Sequence, residues 1–160
     1  MRLRPTTSSD RALLDRLLVE AFNWTGQTRV TLAQVRADPE HARHLGGWQR
    51  KSDVGTVAET EAGETVGAAW ARVCTLADAG YGFVADDVPE LGMAVLAPYR
   101  GRGVGALLLD ACLAQVRDAG HGAVSLSVED GNSTARHLYS SRGFRPVART
   151  GAADTLLLAL

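Results

Sequence analysis

Residues 100–105 read Arg-Gly-Arg-Gly-Val-Gly and lie between an apolar run and a strongly helical one. Three glycines within five residues remove the Cβ atoms that would hold a ligand away from the main chain. They also predict a row of unpartnered N–H groups at the start of a helix, where partial positive charge favours phosphate. The sequence therefore predicts a phosphate-binding turn between a strand and a helix.

Composition narrows the range of partners. The chain has 160 residues, a net charge of −1 and 46% hydrophobic residues, and we expect a single domain over 1–160. Because no excess positive charge exists, we expect neither a nucleic-acid nor a membrane partner. The first residues lack the apolar core of a signal peptide, so we expect a cytoplasmic protein. Cys74 and Cys112 lie in apolar stretches and are predicted to be buried free thiols.

Hydrophobic periodicity and turn residues divide the chain into alternating strands and helices. Their order predicts helices on a mixed sheet, with one strand–helix–strand crossover from Leu91 to Val128. The predicted strands are 2–5, 54–59, 65–76, 91–96, 123–128, 145–149 and 155–160. The first predicted helix is capped at 8–10 and runs to Phe22. The other predicted helices cover 31–37, 104–118 and 132–141.

A dinucleotide fold is the first alternative for the turn. Gly101-x-Gly103-x-x-Ala106 fits the dinucleotide fingerprint, and Glu129 lies at about the distance of the ribose-binding acid. However, only 55 residues follow Gly105, the turn carries two arginines, and a hairpin precedes it. These features disfavour a doubly wound sheet. A nucleoside-triphosphate loop is weaker still, because no Gly-Lys-Ser/Thr follows the glycines.

Two motifs resemble those of a known family. Residues 98–105 match the Arg/Gln-x-x-Gly-x-Gly/Ala signature of the GNAT superfamily of acyl-CoA-dependent N-acyltransferases, and 132–144 read Asn-x-x-Ala-x-x-Leu-Tyr-x-x-x-Gly-Phe, like its second motif. The resemblance is clear from about Pro89 to Pro146. It implies a mixed, mostly antiparallel sheet flanked by helices, with central parallel strands that splay apart.

The resemblance also implies acetyl-CoA as co-substrate and no metal. Its pyrophosphate would meet the glycine turn, and its pantetheine arm would pair with an exposed strand edge. The N–H of Val95 would polarise the acyl carbonyl, by analogy with the family. The implied cofactor-binding residues are Met93, Val95, Leu96, Arg100, Gly101, Arg102, Gly103, Val104, Gly105 and Asn132.

Tyr139 resembles the general acid of the family, which protonates the departing thiolate. The alternative is a core ring whose hydroxyl is hydrogen-bonded. Asn132 would contact the pantetheine arm or a water, and it is also a good helix cap. The catalytic residues implied are therefore Tyr139 and the base discussed next.

Glu90 lies near the position at which many family members have a glutamate that accepts the proton of the amine. The alternative is a solvated charge at a strand end that only binds substrate. Asp86 and Asp87 in the adjoining loop compete for the role of base. Ser125 and Ser127 on the opposite splayed strand could carry a water chain.

The family likeness implies transfer of an acetyl group to a primary amine, as a small molecule or a peptide, by direct attack in a ternary complex. Asp78, Asp86, Asp87 and Glu90 would favour a cationic amine. The candidate aromatic contacts are Phe22, Trp24, Tyr81 and Phe83. The alternative is a non-catalytic sensor that binds acyl-CoA. A homodimer is possible, and His41 with His44 is interpreted as a surface pair rather than a metal site.

Overall fold

The computed structural model describes all 160 residues, and it forms one seven-stranded sheet with five helices. The strands are β1 Arg2–Pro5, β2 Val54–Glu59, β3 Thr65–Arg72, β4 Glu90–Val95, β5 Ala123–Glu129, β6 Arg145–Thr150 and β7 Ala153–Ala159. The helices are α1 Arg11–Phe22, α2 Leu32–Ala37, α3 Pro39–Ala42, α4 Val104–Asp118 and α5 Ser133–Ser141.

The strand order in the sheet is β1-β2-β3-β4-β5-β7-β6. Only β4 and β5 are parallel, and all other neighbours are antiparallel. The crossover between these two parallel strands runs through α4, as expected for a parallel connection. The predicted mixed, mostly antiparallel α/β fold is confirmed. The doubly wound dinucleotide alternative is wrong, because that fold needs a mostly parallel sheet.

Most elements agree with the sequence prediction to within about two residues, but one strand is shorter than predicted and one short helix was not predicted. The strand predicted over 65–76 ends at Arg72, where its last partner on β4 is Glu90. The chain then turns, and Thr75 precedes a short 3-10 helix at Leu76–Asp78. The unpredicted helix is α3, which follows α2 directly: Asp38 ends α2 and caps α3, since its carboxylate accepts the N–H of Glu40 at 2.9 Å.

The core has two parts, one on each face of the sheet. The larger contains the buried side of α4, from Val104 to Val116, packed against inward residues of the central strands and against Tyr139 and Phe144. The smaller contains Leu14, Leu17 and Leu18 of α1, packed against the opposite face. The helices on the two faces therefore approach β4 from both sides and set the position of its carboxyl end.

A buried ion pair supports the second face. Arg72 donates to Asp53 at 2.9 and 2.5 Å, and its side chain is 2% exposed. It also donates to the carbonyl oxygens of Gly46 and Arg43 at 2.8 and 3.2 Å. These bonds satisfy the guanidinium, which fixes the 43–46 segment beside β3. No helix is both long and apolar enough to cross a lipid bilayer.

Candidate active site

The glycine turn leaves a row of main-chain donors free. Gly101 and Gly103 have φ of +72° and +79°, and no atom lies within 4 Å of a Cβ built on either. Arg100 donates its N–H to Ala97, and the first α4 hydrogen bond runs from Leu107 to Gly103 at 3.2 Å. The six N–H groups of residues 101–106 between them find no acceptor in the protein. They form an anion site at the start of a 15-residue helix.

The two arginines of the turn have different surroundings. Arg100 donates its Nε to the carbonyl oxygen of Val95 at 2.8 Å and pairs with Glu20 at 3.3 Å, which ties the turn to β4 and α1. Arg102 is exposed, lies over the ring of Tyr99 at 5.9 Å and does not line the cleft. The structure therefore brings Arg100 to the cleft and leaves Arg102 outside it.

The parallel strands β4 and β5 separate toward their carboxyl ends, next to the glycine turn. β4 and β5 pair at Glu90 and Ser125, where Ser125 donates its N–H to Pro89 at 2.9 Å, and no further register pair follows. Leu96 donates its N–H to Val66 on β3. Because strand main-chain groups alternate in direction, those of Met93 and Val95 face the gap toward β5. The N–H of Val95 and both groups of Met93 are unpaired there.

Besides Arg102, two predicted cofactor contacts differ from expectation. The main-chain groups of Leu96 are already used, since its N–H bonds to Val66 and its carbonyl oxygen accepts from Tyr99, both at 2.9 Å. The side chain of Val104 is 1% exposed and belongs to the core. Leu96 therefore has no free N–H for a ligand, and neither Leu96 nor Val104 lines the cleft; Val104 can offer only its N–H.

A cleft of about 1000 Å³ runs from the glycine turn through the gap to the far face of the sheet. One wall is β4 and the turn, and the other is the end of β5 and the start of α5. Glu90 and Tyr139 both line this cavity. Tyr139 belongs to the larger core, whereas Glu90 faces the other side of the sheet, because its neighbour Leu91 points into that core. The lining residues on the remaining side are Phe22, Trp24, His44, Arg72, Cys74 and Tyr81.

Tyr139 is 8% exposed and its ring packs edge-to-face on Phe144 at 5.7 Å. Its hydroxyl makes no hydrogen bond to the protein, which disagrees with the alternative of a hydrogen-bonded core tyrosine. Burial raises the pKa of the phenol well above its ordinary value, so the group is protonated at neutral pH. Asn132 begins the same helix, and its Oδ1 accepts the N–H of Ala135 at 3.2 Å while the residue lines the cleft.

Glu90 has one bonded and one unbonded carboxylate oxygen. Oε1 accepts the N–H of Gly82 at 2.8 Å, while Oε2 is buried without a partner. Burial raises the pKa of this carboxyl above the ordinary glutamic value. The hydrogen bond from Gly82, the charge of Arg43 and a smaller contribution from the backbone N–H of Gly80 oppose the shift. The hydroxyl of Ser125, on the neighbouring strand, is also buried without a partner.

The far side of the cleft is aromatic. Phe22 lies 6.2 Å from Tyr81 and 5.8 Å from His44, all between ring centroids. Desolvation lowers the pKa of His44 to about 4, so the imidazole is neutral at pH 7. The hydroxyl of Tyr81 donates to Glu40 at 2.6 Å, which holds the ring against the cleft. Phe83, also expected at this site, does not line it.

The expected cluster of negative charge does not form. Asp78 accepts the N–H of Thr75 and pairs with Arg50, while Asp86 and Asp87 are exposed outside the cleft. Three glutamates line the cleft, but Glu20 pairs with Arg100 and Glu129 pairs with Arg29, so Glu90 is the one without an arginine partner. The three aspartates therefore do not surround an acceptor. No group of three or more His, Cys, Asp or Glu side chains is arranged to hold a metal ion.

Comparison with known proteins places this geometry in a family. A model of the acetyltransferase (GNAT) family matches residues 36–144. The chain belongs to the acetyltransferase (GNAT) family. The predicted GNAT superfamily is confirmed. The predicted enzyme class, an acyl-CoA-dependent acetyltransferase, is consistent with this family.

Relatives and solved structures are consistent with membership of the GNAT family. Over 92 residues the chain is 39% identical to a mycothiol acetyltransferase of Propionibacterium freudenreichii, covering 58% of this chain and 28% of that protein's length. A ribosomal-protein-alanine N-acetyltransferase structure from Brucella melitensis aligns over 100% of both chains, with a TM-score of 0.71 and 22% identity. A Salmonella typhimurium structure, described as an acetyltransferase with its cofactor acetyl-CoA, covers 99% of this chain and 92% of its own, with a TM-score of 0.67 and 21% identity. At these identities the two structures establish the fold alone.

Sequence reasoning missed two features of this GNAT site. The sequence predicts His44 in a surface pair with His41, whereas His44 lines the cleft and its Nε2 is buried. Trp24 and Arg29 hold the carboxylate of Glu129 at 2.9 and 2.7 Å, which fastens the segment after α1 to the end of β5. Residues so far apart in sequence carry no local signal of such contact.

Proposed function

We propose that this protein is an N-acetyltransferase that moves the acetyl group of acetyl-CoA directly to a primary amine. The observation that carries the proposal is the run of six unpaired N–H groups at residues 101–106, which leads into a gap between parallel strands. A diphosphate suits those donors, and a long uncharged arm with amides suits an unpaired strand edge.

Met93 and Val95 would bind the pantetheine arm of acetyl-CoA through their free main-chain groups. Their side chains pack toward the larger core, which keeps the strand edge rigid. The N–H of Val95 has no partner, while its carbonyl oxygen is held by Arg100. This N–H would donate to the thioester oxygen, where negative charge develops during acyl transfer.

Glu90 and Tyr139 would carry the two proton transfers. Glu90 takes a proton from the amine, directly or through a water at Oε2, and the amine nitrogen attacks the thioester carbon. The C–N bond forms, the C–S bond breaks, and Tyr139 gives its proton to the departing sulfur. The raised pKa of Tyr139 keeps the phenol protonated at neutral pH, so its proton is in place when the thiolate departs.

Direct transfer is favoured over an acetylated cysteine. Cys74 lines the cleft, but burial and the charge of Glu90 raise the pKa of its thiol to about 11. Cys112 is buried in the core, where desolvation raises its thiol pKa to about 12. Because the thiolate is the nucleophile, neither cysteine is activated for a covalent intermediate.

The acceptor side favours an amine attached to a flat or apolar body. Phe22, Tyr81 and the neutral ring of His44 form its walls, and Arg72 is neutralised by Asp53. Glu90 then offers a single site for one amino group. We therefore propose an arylalkyl or apolar monoamine as the acceptor class, in preference to a polyamine.

The test is thiol release from acetyl-CoA in the presence of amines. The panel compares phenethylamine with putrescine and spermidine, and it includes a peptide with an N-terminal alanine. We expect the highest kcat/KM for phenethylamine. Faster turnover of the polyamines would contradict the proposed acceptor class. Binding of acetyl-CoA without release across a broad panel would instead favour the alternative function, a sensor that binds acyl-CoA.

A further inference from the structure

The segment Gly80-Tyr81-Gly82 lies directly against the carboxyl group of Glu90. Gly82 donates its N–H to Oε1 at 2.8 Å. A Cβ built on Gly80 would lie 2.5 Å from both the Cδ and the Oε1 of Glu90, and closer still to Oε2. Only glycine leaves room for this approach, so the residue type at position 80 sets where the carboxyl group can lie.

The same segment is held from behind by β5. A Cβ on Gly82 would lie 2.5 Å from the carbonyl carbon of Leu126 and 2.7 Å from the nitrogen of Ser127. The hydroxyl of Thr155 on β7 donates to the carbonyl oxygen of Tyr81 at 3.5 Å. Neither glycine has a positive φ, so both are required for close approach rather than for turn geometry.

We propose that Gly80 and Gly82 are positioning residues for Glu90. Gly82 holds Oε1 through its N–H, and Gly80 allows the carboxyl group to lie flat against the segment, so that Oε2 keeps the free lone pairs. Tyr81, between them, forms part of the acceptor wall, so one tripeptide sets the distance from base to acceptor. The kinetic part of this inference rests on the proposed function, in which Glu90 is the base.

Several ionisable groups surround Glu90 and enter any titration. The charge of Arg43 lowers the pKa of Glu90, and the charge of Glu90 raises the pKa of Cys74. Arg72 is the register partner of Glu90 on β3, but it is paired with Asp53. Desolvation lowers the pKa of His44 to about 4, and its titration is followed separately by its ring resonances.

The first test needs neither turnover nor a variant. NMR follows the amide proton of Gly82 and the side-chain carboxyl carbon of Glu90 against pH. We expect the Gly82 amide to titrate with the same midpoint as the Glu90 carboxyl, because the hydrogen bond strengthens when Oε1 becomes charged. A Gly82 amide that does not follow this titration would overturn the proposal, whether or not the protein is an enzyme.

The second test displaces the carboxyl group with Gly80→Ala. The added Cβ pushes Glu90 toward the cleft, so its carboxyl pKa should fall toward the ordinary value as burial is relieved. With an active amine, kcat should fall about 10- to 100-fold while the KM for acetyl-CoA stays constant. Gly122→Ala is the control, since its Cβ meets no atom within 4 Å and Gly122 has no positive φ.

Two further backgrounds separate positioning from general damage. In Glu90→Ala, adding Gly80→Ala should change kcat no further, because no carboxyl remains to displace. In Glu90→Asp, the shorter side chain makes room, so Gly80→Ala should cost less than in the wild type. Equal losses of kcat in all three backgrounds would show a structural role and overturn the proposal. If Gly80→Ala alone does not fold, the Glu90→Asp pair and the Gly82 amide decide.

Discussion

Glu90 and Ser125 form the one register pair that joins β4 to β5. On the amino side of this pair, the N–H of Ser125 donates to the carbonyl oxygen of Pro89 and holds the strands together. On the carboxyl side, the strands separate. The pair therefore marks the floor of the gap, with the buried carboxyl of Glu90 and an unpartnered hydroxyl at the same level. The chemistry proposed for this protein lies directly above that floor.

Gly103→Ala should weaken coenzyme A binding at least about 10-fold. The Cβ would point into the open space beside the free N–H groups, where a diphosphate would lie, and at φ +79° it also costs about 1–2 kcal/mol of stability. Gly120→Ala is the matched control, because Gly120 has φ +86° and open surroundings at the other end of α4. Calorimetry and urea unfolding should show similar stability losses but a lower affinity in Gly103→Ala alone.

Tyr139→Phe should lower turnover about 100-fold and leave coenzyme A affinity within about two-fold. The variant removes a hydroxyl with no protein partner, while the ring keeps its packing on Phe144. The melting temperature should therefore stay the same. Full turnover of the best amine by this variant would show that another group, or solvent, protonates the sulfur.

Glu90→Gln should lower kcat about 100-fold and remove the acidic limb of the pH–rate profile. A base works only when ionised, so the wild-type rate should rise with pH through the raised pKa of Glu90, above the ordinary glutamic value. Asp86→Asn is the control, since Asp86 is exposed and does not line the cleft. An intact acidic limb in Glu90→Gln would assign the base elsewhere.

His44 should make the protein less stable as the pH falls. Its folded pKa of about 4 lies below the ordinary value of 6.5, so between these values the unfolded chain binds the extra proton. Above pH 6.5 the histidine is neutral in both states and costs no stability. From pH 7 to pH 5 it lowers the free energy of unfolding by about 2 kcal/mol. Glu90, whose pKa is raised, contributes with the opposite sign.

The comparison with His44→Gln isolates this contribution. Urea unfolding at pH 7 and pH 5 should show a smaller loss of stability in His44→Gln than in the wild type, by about 2 kcal/mol. His137→Gln, at an exposed position of α5, should follow the wild type. An identical pH dependence of the wild type and His44→Gln would mean that the imidazole is not desolvated in the folded state.

The sequence predicted the elements that carry strong local signals. The helix over 104–118 has the predicted bounds, because a glycine turn precedes it and Gly120 follows its last residue and cap. The strand over 54–59 also has the predicted bounds. The glycine turn and Tyr139 were found through two motifs, and both lie on the cleft.

The acceptor side could not be predicted in the same way. It is assembled from α1, the 43–46 segment and the loop before β4, which meet only through tertiary packing. The aspartates of the loop looked suited to an acceptor, but their side chains point to local caps, an arginine or solvent. The role of Gly80 depends on its distance from Glu90, which no spacing in the sequence reveals.

Calorimetric titration with coenzyme A and with pantetheine tests the central claim most directly. The two ligands share the arm and the thiol, but only coenzyme A carries the phosphates that the N–H groups of 101–106 would bind. We predict clear binding of coenzyme A and an affinity at least about 100-fold lower for pantetheine, a difference of about 2.7 kcal/mol. Equal affinities, or no heat with coenzyme A and a folded protein, would contradict the account.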